Sequence, residues 1–241
     1  MNTTSASPAE SRAAEAAQGK VLVWDLPVRV FHWLMVLCFS GAWLTAESER
    51  WRQVHVTLGY TMAALVVFRV LWGLVGTRPA RFSSFVRGPA RAARYVASVV
   101  RGSAERHTGH NPAGALAIVA LLVLAIGVTA SGWANFNEIG GHSMEEVHEA
   151  AANIMIALIG VHLLGVVVGS WAHRENLVRA MVTGRKAGKA QEGAGRAWRG
   201  LGIALLAAVL GFWALQWQAA PDGAGGAGGN AAHRTHGDDD D

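Results

Sequence analysis

Long apolar runs beginning near Pro27, Val54, Pro112, Val147 and Gly200 alternate with shorter polar segments along the chain. Each run is long enough to cross a bilayer core, which takes about 20 apolar residues per helix. The pattern predicts an all-α membrane protein. A four-helix transmembrane bundle is expected within residues 21–186, then a basic loop and a fifth C-terminal transmembrane helix within residues 187–218. Residues 1–20, rich in Ala, Ser and Glu without a sustained apolar face, read as a disordered tail. Residues 219–241 read as a flexible Gly-rich acidic tail, in which His233 and His236 beside four aspartates are either solvated or a weak site for a divalent metal or a basic protein.

The first run opens VWDLPVRVFHWLM, where Pro27 suits a first helical turn and Trp24 and Trp33 suit the headgroup belt. His32 follows just inside the membrane. After the turn AESERW the second run begins with His55 and carries Arg69 near its far end. The third run has no histidine but holds Gly114, Gly127, Thr129, Ser131 and Gly132, so it reads as a wall helix whose small residues admit a neighbour or a flat ring. The fourth carries His148 and His162. The fifth has no ionisable residue in its interior and ends at Trp213 and Trp217, which suit the outer belt.

Between the second and third runs, FSSFVRGPARAARYVASVVRG sets Phe82, Phe85, Val86, Val96, Val99 and Val100 at helical spacing against an Arg-rich side. Such a segment either lies on an anionic leaflet surface or is a plain basic loop. His107 and His110 beyond it read as solvated, as does His142 in the later polar loop. His173 reads as a solvated juxtamembrane histidine, the alternative being a role in proton exchange or at a quinone carbonyl.

Composition supports the membrane reading: 51% of residues are hydrophobic and 16% charged, with 10 Trp. The net charge of +4 would raise nucleic-acid binding in a soluble chain, but here the positive residues are sorted by loop, and no nucleic-acid partner is expected. Arg78, Arg81, Arg87, Arg91, Arg94, Arg101 and Arg106 fall in one loop, and Arg174, Arg179, Arg185, Lys186, Lys189, Arg196 and Arg199 in another. The loop from Ala134 to Glu146 has neither Lys nor Arg. The positive-inside rule therefore puts both basic loops and the N-terminus in the cytoplasm and the C-terminus outside. Cys38 is the single cysteine, so there is no disulfide framework, and no C-x-x-C-H is present for covalent haem. The first apolar run is expected to remain as an anchor.

The candidate chemistry lies in the histidines. Fourteen residues separate His148 from His162, which in a helix is about 21 Å of rise and a return to nearly the same face. Ionisable groups inside membrane helices are costly and usually functional, and histidine is the common axial ligand of haem iron. By depth, His32 matches His162 on the cytoplasmic side and His55 matches His148 on the outer side. Two bis-histidine pairs close both axial positions of two haems, which leaves electron transfer as the natural task. Arg69, on nearly the same face as His55 but at the inner level, either pairs with haem propionates or snorkels to the headgroups.

VWDLPVRVFHWLM, VHVTLGY, FRVLWGLVGTRPARF, the His148/His162 helix and HRENLVRAMVTGRK together resemble the bacterial cytochrome b-561 family, over roughly Val21 to Lys186. That family includes the cytochrome b subunits of nickel-iron hydrogenases and membrane cytochromes b paired with periplasmic di-haem cytochromes c. The resemblance implies two non-covalent haem b groups at His32, His55, His148 and His162, in a multi-pass protein of the bacterial inner membrane. It also implies electron exchange between the quinone pool, with quinone as an exchangeable substrate, and a periplasmic partner, either a c-type cytochrome or a hydrogenase. Two rivals remain at this point: a superoxide-oxidising quinone reductase, for which only Arg50 and Arg52 would steer the anion, and a haem-free scaffold or transporter with the histidines as proton relays.

Overall fold

The computed structural model describes residues 19–86, 88–101, 103, 109, 111–188 and 190–219. The expected tails over residues 1–18 and 220–241, and loop residues Arg87, Arg106, His107, His110 and Lys189, lie outside the described residues. In chain order the elements are β1 (Lys20–Leu22), α1 (Leu26–Thr45), α2 (Arg52–Val75), α3 (Pro89–Val100), α4 (Pro112–Phe136), α5 (His142–His173), α6 (Leu177–Thr183), β2 (Arg185–Ala187) and α7 (Arg199–Ala219). All of these helices except α3 and α6 are long and apolar enough to span a membrane. The chain is a multi-pass, all-α membrane protein.

Helix α1 packs on α2, α2 on α4, and α4 most extensively on α5. Leu34 and Cys38 of α1 meet Met62 and Leu65 of α2 and Val209 of α7 in one buried cluster. Val66, Ala125, Val128 and Met155 join α2, α4 and α5 in another. Among lipids, helices associate through close packing and hydrogen bonds rather than through exclusion of water. Trp213 illustrates this: expected in the outer belt, it is half-buried and its Nε1 donates to Thr61 Oγ1 at 2.9 Å, because an indole N–H among apolar neighbours needs an acceptor. The fifth spanning helix is thereby fastened to α2 as well as α1.

The end carrying the basic loops is the more elaborately tied. β1 pairs antiparallel with β2, Val21 opposite Lys186, and the N–H groups of Val23 and Trp24 both donate to Gly184 O. This return of the chain buries Trp24 to 6% exposure against Val23, Val28, Trp72 and Ala80, so it does not serve in the headgroup belt. Asp25, fully buried, caps α1 through Val28 N at 2.9 Å. Its other oxygen accepts from Trp72 Nε1 at 3.1 Å and Thr77 Oγ1 at 2.6 Å. A carboxylate with three donors is satisfied in a buried place, and it fixes the start of α1 to the end of α2.

The amphipathic segment divides in two. Phe82–Phe85 forms one helical turn and α3 starts afresh at Pro89, with Gly88 at φ +84° between them. Proline lacks the N–H that would continue a helix and restricts the residue before it, and glycine accepts the positive φ. In α3, Ala92 and Tyr95 are buried while Arg91 and Arg94 are exposed.

Candidate functional site

Four histidines lie along the inward sides of three spanning helices. His32, His55, His148 and His162 are each half-buried, whereas their neighbours Trp33, Val147, Val161 and Leu163 are 41%, 52%, 62% and 57% exposed. The imidazoles therefore turn away from the lipid-facing surface.

At the end bearing Glu47, Glu138, Glu145 and Glu146, here the acidic end, His55 of α2 faces His148 of α5. Their ring centroids are 6.1 Å apart and the planes are nearly perpendicular, at 80°. A metal–imidazole bond is about 2 Å long and a ring nitrogen lies about 1 Å from its centroid, so one ion held between two imidazoles sets the centroids about 6 Å apart. The observed spacing fits that demand.

Backbone carbonyls engage one nitrogen of each ring. His55 Nδ1 lies 2.9 Å from Ala42 O of α1, and His148 Nδ1 lies 2.9 Å from Val128 O of α4. A carbonyl oxygen can only accept, so in both rings Nδ1 carries a proton, and in the neutral imidazole it is Nε2 that has the lone pair. Such an outer hydrogen bond sets tautomer and orientation in metal-ligating histidines. Ser131 Oγ adds a longer contact of 3.3 Å to His148 Nδ1. Gly132 makes room for the ring: a Cβ there would lie 2.8 Å from His148 Cε1 and 3.0 Å from Nδ1. The small residues of α4 do admit a flat ring, and it is an imidazole.

At the basic end, His32 of α1 is close enough to His162 of α5 to feel its charge. Neither ring is tied to a carbonyl as the acidic-end pair is, among the described residues. Arg69 lies on α2 at this level. It is 3% exposed, so it does not snorkel out to headgroups, and its Nη1 is buried with no hydrogen-bond partner. A buried, unsatisfied guanidinium nitrogen is costly, and an anionic group brought to this level would satisfy it. The structure thus brings together His55 with His148 directly, sets His32 near His162, and places Arg69 within the protein at the basic end.

Several residues around the site carry no signal in sequence. The two carbonyl acceptors belong to Ala42 and Val128, whose side chains say nothing of that role. The Ser131-Gly132 pair was visible only as part of a small-residue stripe. His173, expected in water, is half-buried, with Tyr95 Oη 2.9 Å from its Nε2. Burial pushes the Tyr95 phenol above its usual range, so it keeps its proton at neutral pH. His142 is exposed as expected, beside Glu145 and Glu146 at 3.3 and 3.4 Å.

The sequence profile described as prokaryotic cytochrome b561 matches residues 23–184. Over 143 residues the chain is 27% identical to the probable Ni/Fe-hydrogenase 1 B-type cytochrome subunit of Escherichia coli strain K12, covering 48% of this chain and 60% of that protein. The same values hold for the corresponding subunit of Escherichia coli O157:H7. The chain thus spans about three fifths of the length of these curated relatives. No solved structure matches it.

Proposed function

The chain belongs to the prokaryotic cytochrome b561 family, and from that premise we propose that it carries electrons across the bacterial inner membrane between the quinone pool and a periplasmic redox partner. That it is a membrane b-type cytochrome of electron transfer follows from the family; the two haems, their ligands, the quinone and the partner are our reading. His55 and His148 would hold one haem, and His32 and His162 the second. When bound, haem supplies a reversible one-electron couple whose potential answers to ligand, charge and burial.

The single observation that carries this reading is the His55/His148 pair, with centroids at 6.1 Å and both Nδ1 atoms engaged by backbone carbonyls. Both Nδ1 atoms are engaged by backbone, which leaves the Nε2 of each ring as the nitrogen that would bind the iron. Arg69 would receive a carboxylate of the basic-end haem through Nη1. Asp25, by joining α1 to α2, keeps His32 and Arg69 in register. The sorting of Lys and Arg by loop supports a cytoplasmic N-terminus and basic end, with the acidic end facing the periplasm.

The likeness to a hydrogenase cytochrome subunit favours a second reading of the partner, in which a hydrogenase rather than a c-type cytochrome meets the acidic end. Purification followed by a pyridine haemochrome assay tests the core of the proposal: two haem b per chain are expected, and a stable, colourless protein would refute it. Reduction of the oxidised protein by a short-chain quinol, then reoxidation by added soluble cytochrome c or reduction by hydrogen with a hydrogenase, separates the two partners.

A further inference from the structure

The environment of Arg69 contains a residue that nothing so far explains. The Arg69 guanidinium carbon stands 4.9 Å from the centroid of the Phe82 ring, in the single helical turn that follows α2. One turn along α2 from Arg69, at the next position on the same side, is Gly73. A Cβ built there would collide with three ring atoms of Phe82. The absence of a side chain at Gly73 is therefore what lets the Phe82 ring lie down on α2 and cover Arg69. Phe85 supports the ring edge-on at a centroid distance of 5.9 Å and is itself 5% exposed.

Asp25 does not take that role. It is near enough for Arg69 to feel its charge, yet its oxygens are engaged by Val28 N, Trp72 Nε1 and Thr77 Oγ1. Among the described residues no carboxylate stands at ion-pair distance from Arg69. The guanidinium is held by an aromatic face on one side and has an unsatisfied Nη1 besides. An aromatic face attracts a cation without neutralising it, and the attraction grows when water is excluded. A positive charge is thus kept inside the protein with an aromatic face, and no directly paired anion among the described residues, beside it.

We propose that Phe82, seated by Gly73, is a positioning residue that keeps Arg69 charged, dry and directed inward, and so raises the affinity of the basic-end haem for its electron. The inference rests on the reading of Arg69 and the His32/His162 pair given above. A nearby positive charge favours the reduced form of a redox centre, because reduction adds a negative charge, and its effect is greatest where the surroundings screen least. Without the Phe82 ring, water or headgroups reach the guanidinium, and the side chain is released to turn outward along its flexible stem.

The test is a potentiometric titration of the haem-loaded, full-length protein, following both haems by their absorption. Arg69→Gln should weaken reduction of the basic-end haem about tenfold, which is about 59 mV for one electron, and leave the acidic-end haem unmoved. Phe82→Leu, which keeps bulk but loses the aromatic face, should weaken it about threefold, whereas Phe82→Tyr should restore the wild-type value. In the double variant, Phe82→Leu should add nothing to Arg69→Gln. Equal shifts from Phe82→Leu in both backgrounds would overturn the role of Phe82 while the reading of Arg69 stands. An unmoved potential in Arg69→Gln would overturn that reading and the role of Phe82 with it. Should Arg69→Gln fail to retain haem, Phe82→Leu against Phe82→Tyr still decides: equal potentials in a protein holding both haems contradict the proposal.

Discussion

At the acidic end, two imidazoles are oriented by the backbone of neighbouring helices: Ala42 O holds His55, Val128 O holds His148, and Gly132 clears the space in which the second ring lies. At the basic end, His32 and His162 lack such ties among the described residues, and α1, which carries His32, is fixed instead to the end of α2 by a buried network around Asp25, with Arg69 set alongside. One pair is oriented ring by ring; in the other, the helix of one member is locked at its end. On the proposed haem ligation, the difference amounts to two routes to the same requirement. A ligand can be pre-organised through its own outer nitrogen, or its whole helix can be immobilised so that the side chain has few places to go.

The strongest way to break the comparison is at Asp25. Asp25→Ala would leave Val28 N, Trp72 Nε1 and Thr77 Oγ1 without their acceptor, and each buried orphan costs about 1–3 kcal/mol. A clear fall in thermal stability is expected, with haem lost first from the basic end. Equal loss from both ends would mean that the network serves the fold at large. Gly132→Ala attacks the other end. The added methyl pushes the His148 ring off Val128 O, and disturbing an outer partner of this kind typically costs 10–100-fold in metal affinity, about 1.4–2.8 kcal/mol. Haem titration should show the weakening at the acidic-end site alone.

Two smaller changes sharpen the picture. Ser131→Ala removes a long, 3.3 Å contact from a nitrogen that already has a better acceptor, so the acidic-end affinity should change by at most about 0.5 kcal/mol. A large effect would show that Ser131, not Val128 O, orients the ring. Tyr95→Phe removes the bond to His173 beyond the basic-end pair. Both potentials should stay in place, with only a slight fall in stability by differential scanning calorimetry.

Spanning helices and histidine depths were legible because both follow from one-dimensional patterns. About 20 apolar residues span the core, and fourteen residues bring a helix face round again. What lay beyond reach involved partners far apart in sequence or groups without a side-chain signature. Asp25 meets Trp72 and Thr77, 47 and 52 positions away, and nothing in VWDLP announces the indole that it will bind. Backbone carbonyls are the same at every residue, so Ala42 and Val128 could not be singled out. Arg69 was open between snorkelling and inward use until its burial was known. Gly73 and Phe82, nine positions apart, read as a membrane-helix glycine and a loop aromatic; only folding laid one on the other. The amphipathic loop misled in the opposite direction, since its apolar spacing ran straight through the Gly88-Pro89 break.

The most direct measurement is the haem content and redox titration of His148→Ala beside His162→Ala, each purified as the full chain. On the proposed ligation each variant removes a ligand from a different pair, so each should retain one haem b, with a single potential that differs between the two. Loss of both haems from each variant, or retention of both, would contradict a protein in which one helix contributes to two separate sites.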